Sequence, residues 1–339
     1  MTLKKIAELA NTSPSTVSKA FAGSPEISAY TRERIFRIAK ELGYFEKYCK
    51  LKRSRPLIAL LLPEVESEYY ARIAGALEHE IETRGGMAVM ACTRFQPQRA
   101  AALFGEMAYK TRVDGIIVEG SAPHIKNPDH FPLVSFGVSK RHPENADKLC
   151  MDVEGGICEL VGLIKEYGYK RVGFLGESLT RITLNRLKAA LRHHGLPYYQ
   201  KYTVMSEERF TAAGEQGFLE LLRRGGLPEV IIAAYDYIAY GAMKQARLCG
   251  YRIPEDLCFA GINDITPSSI LDVPLTSLRT NFEEIASTLV DLLFKRIEDP
   301  CYSDPIVVRA PVTVCLRESL CRAEERGQKP LSNDRRKDL

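Results

Sequence analysis

Residues 2–21 read TLKKIAELANTSPSTVSKAF. Thr2 can cap a helix from Leu3 to about Ala10, with Leu3, Ile6, Ala7 and Ala10 on one face. Asn11-Thr12-Ser13 breaks that pattern. Ser13 is a good N-cap because its hydroxyl can accept from a free backbone N–H one turn ahead. Pro14 suits the first helical position, where its missing N–H leaves nothing unsatisfied. A second helix then runs to about Ala22, buries Val17, Ala20 and Phe21, and stops at Gly23. Ser28 caps a third, whose Ile35, Ile38, Ala39 and Leu42 face inward, and Gly43 ends it. Two short helices across a tight polar turn, braced by a third, make a helix-turn-helix.

Charge sets this segment apart. The 339 residues carry a formal net charge of +4. Residues 1–55 alone carry +7, with 12 Lys and Arg against 5 acids, and the remainder carries −3. A basic head on a slightly acidic body points to a polyanion partner for the head. Residues 45–56 (FEKYCKLKRSRP from Phe45) read as a basic linker.

From Leu57 onward, apolar runs alternate with amphipathic stretches of helical length. Strands are expected at 57–62, 87–92, 115–118, 133–136, 172–175, 230–234 and 257–261. Helices are expected near 68–84, 97–110, 154–167, 183–194, 211–224, 237–249 and 282–297. Such alternation means an α/β body with parallel sheets, and a fresh start near Lys170 suggests two doubly wound lobes. Lobes of this kind bind ligands at the carboxyl ends of their strands, so two facing lobes make a cleft. The expected division is a head at 1–44, a linker at 45–56, a body at 57–320 and a polar, disordered tail at 321–339.

Several classes are excluded. With 45% hydrophobic and 27% charged residues the chain is globular. No apolar run approaches the roughly 18 residues that span a bilayer, and the N-terminus has no signal-peptide pattern. The nine cysteines form no C-x-x-C pair; their plainer reading is small apolar residues in a reducing cytosol. The six histidines show no metal-binding spacing. Phosphate-loop, dinucleotide, nucleophile-elbow and kinase signatures are missing. No catalytic residue, cofactor or metal is therefore expected. Glu64, Glu66 and Glu68 could together face a cation, but a solvated loop is the plainer reading.

The head resembles that of the lactose/galactose repressor family of bacterial transcription regulators, whose pattern is T-[IL]-x-D-V-A-x-x-A-G-V-S-x-x-T-V-S-R-V-L-N, then V-S-x-x-T-R-x-x-V and L-G-Y. The body resembles it too, at Val113-Asp114-Gly115-Ile116-Ile117, Tyr240-Gly241-Ala242-Met243, Ile253-Pro254-Glu255-Asp256 and Pro274-Leu275-Thr276-Ser277. The resemblance spans about residues 2–317. It implies a helix-turn-helix head on a periplasmic-binding-protein-like body. It also implies a homodimer on a pseudo-palindromic double-stranded operator, and an effector between the lobes. The leading expectation is a cytoplasmic repressor without a membrane partner. The alternative is a two-lobed solute-binding protein without DNA function.

By that resemblance Pro14, Ser15 and Lys19 sit at base-reading positions. Lys19 can donate to guanine, and Pro14 offers only apolar contact. Ser13, Thr16, Ser18, Ser28 and Thr31 match the phosphate-contacting set. Lys5 replaces an acid, Asn11-Thr12 replaces Gly-Val, and Ala22 replaces a polar Asn. In the linker Glu46-Lys47 replaces Pro-Asn. Leu51 is the candidate minor-groove wedge, and Lys47, Lys50 and Arg53 are candidate phosphate contacts of the hinge. The effector-cleft positions fall on Tyr69, Tyr70, Thr183, Tyr235, Asp236 and Asn263. Thr183 stands where the family usually has Arg, with Arg181 and Arg186 flanking it. The effector is accordingly expected to be a sugar or an atypical small molecule.

Overall fold

The computed structural model describes residues 3–21, 24, 26–44, 55–120, 122–127, 131–138, 142–298 and 304–325. The chain divides into two compact units, residues 1–57 with 85–87 and residues 58–84 with 88–339. Thr2, Ala22, Gly23, the linker residues Lys47, Lys50, Leu51 and Arg53, and residues 326–339 lie outside the described residues.

The first unit holds three helices, α1 (Leu3–Leu9), α2 (Pro14–Phe21) and α3 (Ala29–Glu41). Ile6, Ala7, Ala10, Val17, Ala20, Phe21, Ile35 and Ala39 form its core, the inward faces expected from the spacing. The turn between α1 and α2 requires a left-handed residue at Asn11, with φ 43°. Asn tolerates that region far better than a β-branched residue would, which is why it can replace glycine here.

The second unit contains two six-stranded sheets. The first runs β11 (Val307–Pro311), β5 (Asp147–Asp152), β4 (Leu133–Gly137), β3 (Gly115–Glu119), β1 (Leu57–Leu62), β2 (Met87–Cys92). The second runs β12 (Thr313–Cys315), β10 (Thr276–Arg279), β9 (Cys258–Asn263), β8 (Val230–Ala233), β6 (Val172–Glu177), β7 (Thr203–Ser206). The pairings β1–β3, β3–β4, β4–β5, β5–β11 and, in the second sheet, β7–β6–β8–β9–β10 are parallel; β12 is antiparallel to β10. Parallel strands need crossover helices. These are α4 (Glu68–Thr83), α5 (Pro97–Gly105), α6 (Val153–Glu166), α7 (Arg181–His193), α8 (Phe210–Arg223), α9 (Asp236–Leu248) and α10 (Phe282–Glu298). Among the described residues no helix is long and apolar enough to cross a membrane.

All seven expected strands occur. The structure adds β5, β7, β10, β11 and β12. β5 reads DKLCMD and alternates buried and half-buried positions until its exposed last residue; β11 reads VVRAP and alternates exposed and half-buried ones. Neither presents a continuous apolar run. The helix expected at 97–110 is α-helical only to Gly105, then widens into a π-helical turn, Glu106–Thr111.

The lobes are not two successive halves of the chain. After the second sheet is nearly complete, α10 returns to the first lobe and packs on α4, β3, β4 and β5. A buried bidentate pair anchors it: Arg296 Nε and Nη2 donate to Asp147 at 2.6 and 2.7 Å. β11 follows on the same sheet, and the chain crosses again to β12.

The packed chain also extends past 320. Leu320 is buried, Tyr169 donates to the Cys321 carbonyl at 2.8 Å, and Ala323 N donates to Tyr167 O at 3.0 Å. Residues 321–325, expected in a disordered tail, are thus part of the second lobe. Of the seven described cysteines only Cys258 is buried, so the reading of cysteines as core residues holds for that one alone.

Candidate functional site

The first feature is the open end of α2. Ser13 accepts from Thr16 N at 3.0 Å, the capping role its sequence position suggests. Ser28 does the same for α3, accepting from Thr31 N at 3.1 Å and donating to Thr31 Oγ1 at 2.8 Å. Pro14, Ser15 and Lys19 are exposed along one side of α2, while Thr16 and Ser18 are half-buried. Lys19 is not simply solvated: its Nζ meets Glu26 at 2.6 Å and holds that carboxyl below its ordinary pKa. Arg32, which the sequence did not single out, donates to Ser24 O at 2.7 Å and so ties down the chain entering α3. A helix N-terminus with exposed polar side chains suits an anion, since its free N–H groups and dipole end both favour negative charge.

The second feature is a cavity of about 190 Å³ between the two lobes. It lies at the carboxyl ends of the strands, as doubly wound sheets require. All six expected positions line it: Tyr69, Tyr70, Thr183, Tyr235, Asp236 and Asn263. They differ in role. Asp236 is buried and already saturated, accepting from Ser277 Oγ at 2.6 Å, Ser268 Oγ at 2.9 Å and Ile265 N at 2.9 Å. It shapes the loop after β9 rather than offering an open carboxylate. Tyr235 receives the Phe210 N–H at 3.0 Å and reaches Glu177 at 3.5 Å.

Further residues complete the cavity. Glu119 ends β3, and Glu177 ends β6. Glu64 is buried, not solvated: Arg209 from the other lobe donates to it at 3.0 Å and stands 3.6 Å from Glu177. The Arg209 guanidinium also lies 5.1 Å from the Phe95 ring and 4.5 Å from the Phe210 ring. Glu68, likewise expected in a solvated loop, accepts from Thr266 N across the cleft at 2.7 Å. Thr183 does line the cavity, yet an arginine is present as well, one turn on: Arg186 reaches the Val138 carbonyl of the first lobe.

Burial pushes the Glu119 carboxyl up to about 8, partly offset by a hydrogen bond from Tyr70, so it is neutral near pH 7. Burial also raises Tyr70 itself. Arg209 meets the carboxyls of Glu64 and Glu177, while the acids acting on Arg186 are Glu154 and Asp152. Glu64 Oε1, Arg186 Nη1 and Arg209 Nε are buried without a hydrogen-bond partner, one an acceptor and two donors. The backbone is strained here too: Phe95 (φ 57°), Phe210 (φ 57°), Asn263 (φ 105°) and Asp264 (φ 51°) are left-handed. Bulky residues adopt that region only where surrounding structure enforces it, and such strain gathers at ligand sites.

Residues 2–46 match the model of bacterial regulatory proteins, lacI family, and residues 161–320 match that of the periplasmic binding protein-like domain. The chain has a lacI-family head and a periplasmic binding protein-like domain. Among similar proteins, the ribose operon repressor of Haemophilus influenzae is 28% identical over 94% of this chain and 98% of its own length. The HTH-type transcriptional repressor PurR of Pasteurella multocida is 25% identical over 94% and 98%. Among solved structures, a complex of the transcriptional regulator CelR with cellobiose superposes with a TM-score of 0.68 at 25% identity, covering 94% of this chain and 99% of that one. A lac repressor structure bound to ONPG gives 0.71 at 21%, covering 94% and 99%, and supports the fold. A lacI-family head accounts for the basic N-terminus, and removes the ground for reading the chain as a solute-binding protein with an incidental helical leader.

Proposed function

We propose that this protein is a homodimeric lacI-family transcription repressor whose operator affinity is set by a small, uncharged polyhydroxyl effector in the interlobe cleft. In this reading Pro14, Ser15 and Lys19 read base edges in the major groove. Ser13, Thr16, Ser18, Ser28 and Thr31 hold phosphates, with Lys47, Lys50 and Arg53 as hinge contacts and Leu51 as the wedge. A regulator of this kind works in the cytoplasm, where the DNA is. Dimerisation doubles the DNA contact and raises the effective concentration of the second head. A surface suited to a second copy is the groove of the second lobe with Leu271 and Val273 in its wall, where Leu248 and Ile270 are 70% and 76% exposed.

The observation that carries the effector reading is that Glu64 Oε1 and Arg186 Nη1, with Arg209 Nε, are buried and unpartnered within a cavity walled by Tyr69, Tyr70, Phe95, Phe210 and Tyr235. A hydroxyl can donate to the first and accept from the second, and ring C–H faces pack on aromatics. A sugar phosphate would bring negative charge against Glu64 and Glu177, and Arg209 is already paired with both. Sites built to pair hydroxyls discriminate strongly against ligands that leave those groups unpaired.

The DNA half is tested by fluorescence anisotropy on fragments upstream of the protein's own operon, at several salt concentrations with random DNA as competitor. Equal affinity for both DNAs would sink it. The effector half is tested by a thermal-shift screen of neutral sugars, sugar phosphates and purines. The expected result is stabilisation by a neutral sugar that Glu64→Gln abolishes.

A further inference from the structure

Away from both features, α6 and α7 lie side by side and bring three metal-binding side chains together. Cys158 stands on α6, His193 is the last residue of α7, and His194 caps it. Their ligand atoms all lie within 4.8 Å of one another. Cys158 Sγ and His194 Nε2 are 3.4 Å apart. A tetrahedral ion with metal–sulfur and metal–nitrogen bonds of about 2.3 and about 2.0 Å holds such atoms roughly 3.5 Å apart. The two imidazoles are nearly perpendicular, 88°, with centroids 4.9 Å apart.

The seat of His194 is built rather than incidental. Gly162 follows Cys158 by one turn on α6, and a Cβ there would lie 2.9 Å from His194 Cε1 and 3.2 Å from Nε2. Only glycine lets the ring lie flush against the helix beside Cys158. Lys165 holds the next point, donating to the His194 carbonyl at 2.7 Å. Cys158 and His194 are half-buried while His193 is exposed, which leaves a route for an ion and room for a water as fourth ligand.

We propose that Cys158, His193 and His194 form a binding site for a borderline divalent transition metal of the zinc class, clamping α6 to α7. A thiolate with two imidazoles selects such ions over magnesium or calcium, which prefer all-oxygen shells. Binding releases the Cys158 thiol proton to solvent and forms the metal–sulfur bond. His194 exchanges its Nε2–H contact with the Cys158 carbonyl, now 2.9 Å, for the metal, and its remaining ring proton sits on Nδ1. No redox partner is needed. The first two turns of α7 carry Thr183 and Arg186 into the cleft, so the same helix touches effector and ion at opposite ends.

The test uses reduced, full-length protein stripped of metal, titrated with Co²⁺ and then Zn²⁺. The expected result is one Co²⁺ per chain with a thiolate-to-metal charge-transfer band, displaced by Zn²⁺. Cys158→Ser should remove the band. His193→Ala, an exposed substitution that leaves packing intact, should weaken affinity at least tenfold. Cys249→Ser, at the exposed cysteine on the end of α9, should change neither. No band, a band that survives Cys158→Ser, or unchanged affinity in His193→Ala would overturn the proposal.

Discussion

Lys19 has a choice of partners: Glu26 at 2.6 Å in the free protein and, in the proposed complex, a guanine edge. Lys19→Ala should reduce preference for operator over random DNA by about 1–3 kcal/mol, the worth of a good base contact. Glu26→Gln should tighten operator binding by releasing the lysine. Anisotropy titrations decide it, because equal losses on both DNAs would make Lys19 a phosphate contact instead. Glu119 offers a pH test. Its folded pKa is about 8 against an ordinary 4.5, so between those values the folded chain binds more protons than the unfolded one. Stability then falls as pH rises through that window, by up to about 1.4 kcal/mol per pH unit, and levels off above about 8. Glu119→Gln should lessen the slope in urea melts from about pH 5 to about pH 8, leaving the share of Asp236, whose carboxyl burial pushes up to about 7. The tyrosines of the cleft were legible because they stand at positions that match the family's cleft. Glu119 and Glu177 were not, because an acid closing an apolar strand reads as the start of the loop. Their place in the cavity wall exists only in the folded chain.

Among the elements, α8 and α9 cross most tightly. A Cβ on Gly214 would stand 2.0 Å from Ile238 O, and one on Gly241 2.0 Å from Thr211 O. Backbone cannot yield as a side-chain tip can, so Gly214→Ala should destabilise the second lobe by about 3 kcal/mol or more. Gly105 makes the contrast: it ends α5 with nothing within 4 Å of its missing Cβ, and Gly105→Ala should gain about 0.5–1 kcal/mol through the unfolded chain. Thermal unfolding of the two variants should therefore move in opposite directions. In sequence both glycines are only weak helix formers, and the difference exists only once the helices meet. The same holds for strands. β1 (LIALLL) is apolar throughout, buried on both faces after its first residue, and could be read directly. β12 (TVC) is three residues long at a sheet edge, too short to carry a period.

Among the described residues of the body, three hydrogen-bonded links join the lobes across the cleft: Arg209 to Glu64, Thr266 N to Glu68, and Arg186 to the Val138 carbonyl. Lobe connections run through the chain path between β5 and β6, through α10 returning to the first sheet, and through the step from β11 to β12. Those crossings fix a hinge at one side of the cleft and leave the polar links to set how far the other side closes. This return path was invisible in the sequence because α10 has the amphipathic pattern of any crossover helix, and nothing local says which sheet it covers. Arg209–Glu64 and Arg186–Val138 both touch the cavity; the first joins two charged side chains, so it couples closure to occupancy. Arg209 side-chain exposure is 33% and that of Glu64 is 10%, so solvent screens the pair only in part and its attraction should survive moderate salt. Glu64→Gln and Arg209→Ala should then be non-additive in urea unfolding, with a coupling of about 0.5–3 kcal/mol in the double-mutant cycle. The coupling should shrink when a bound effector supplies Glu64 with a hydroxyl of its own. Strict additivity in the free protein would mean that the lobes close without this pair, and the weight of closure would pass to Glu68 and Arg186.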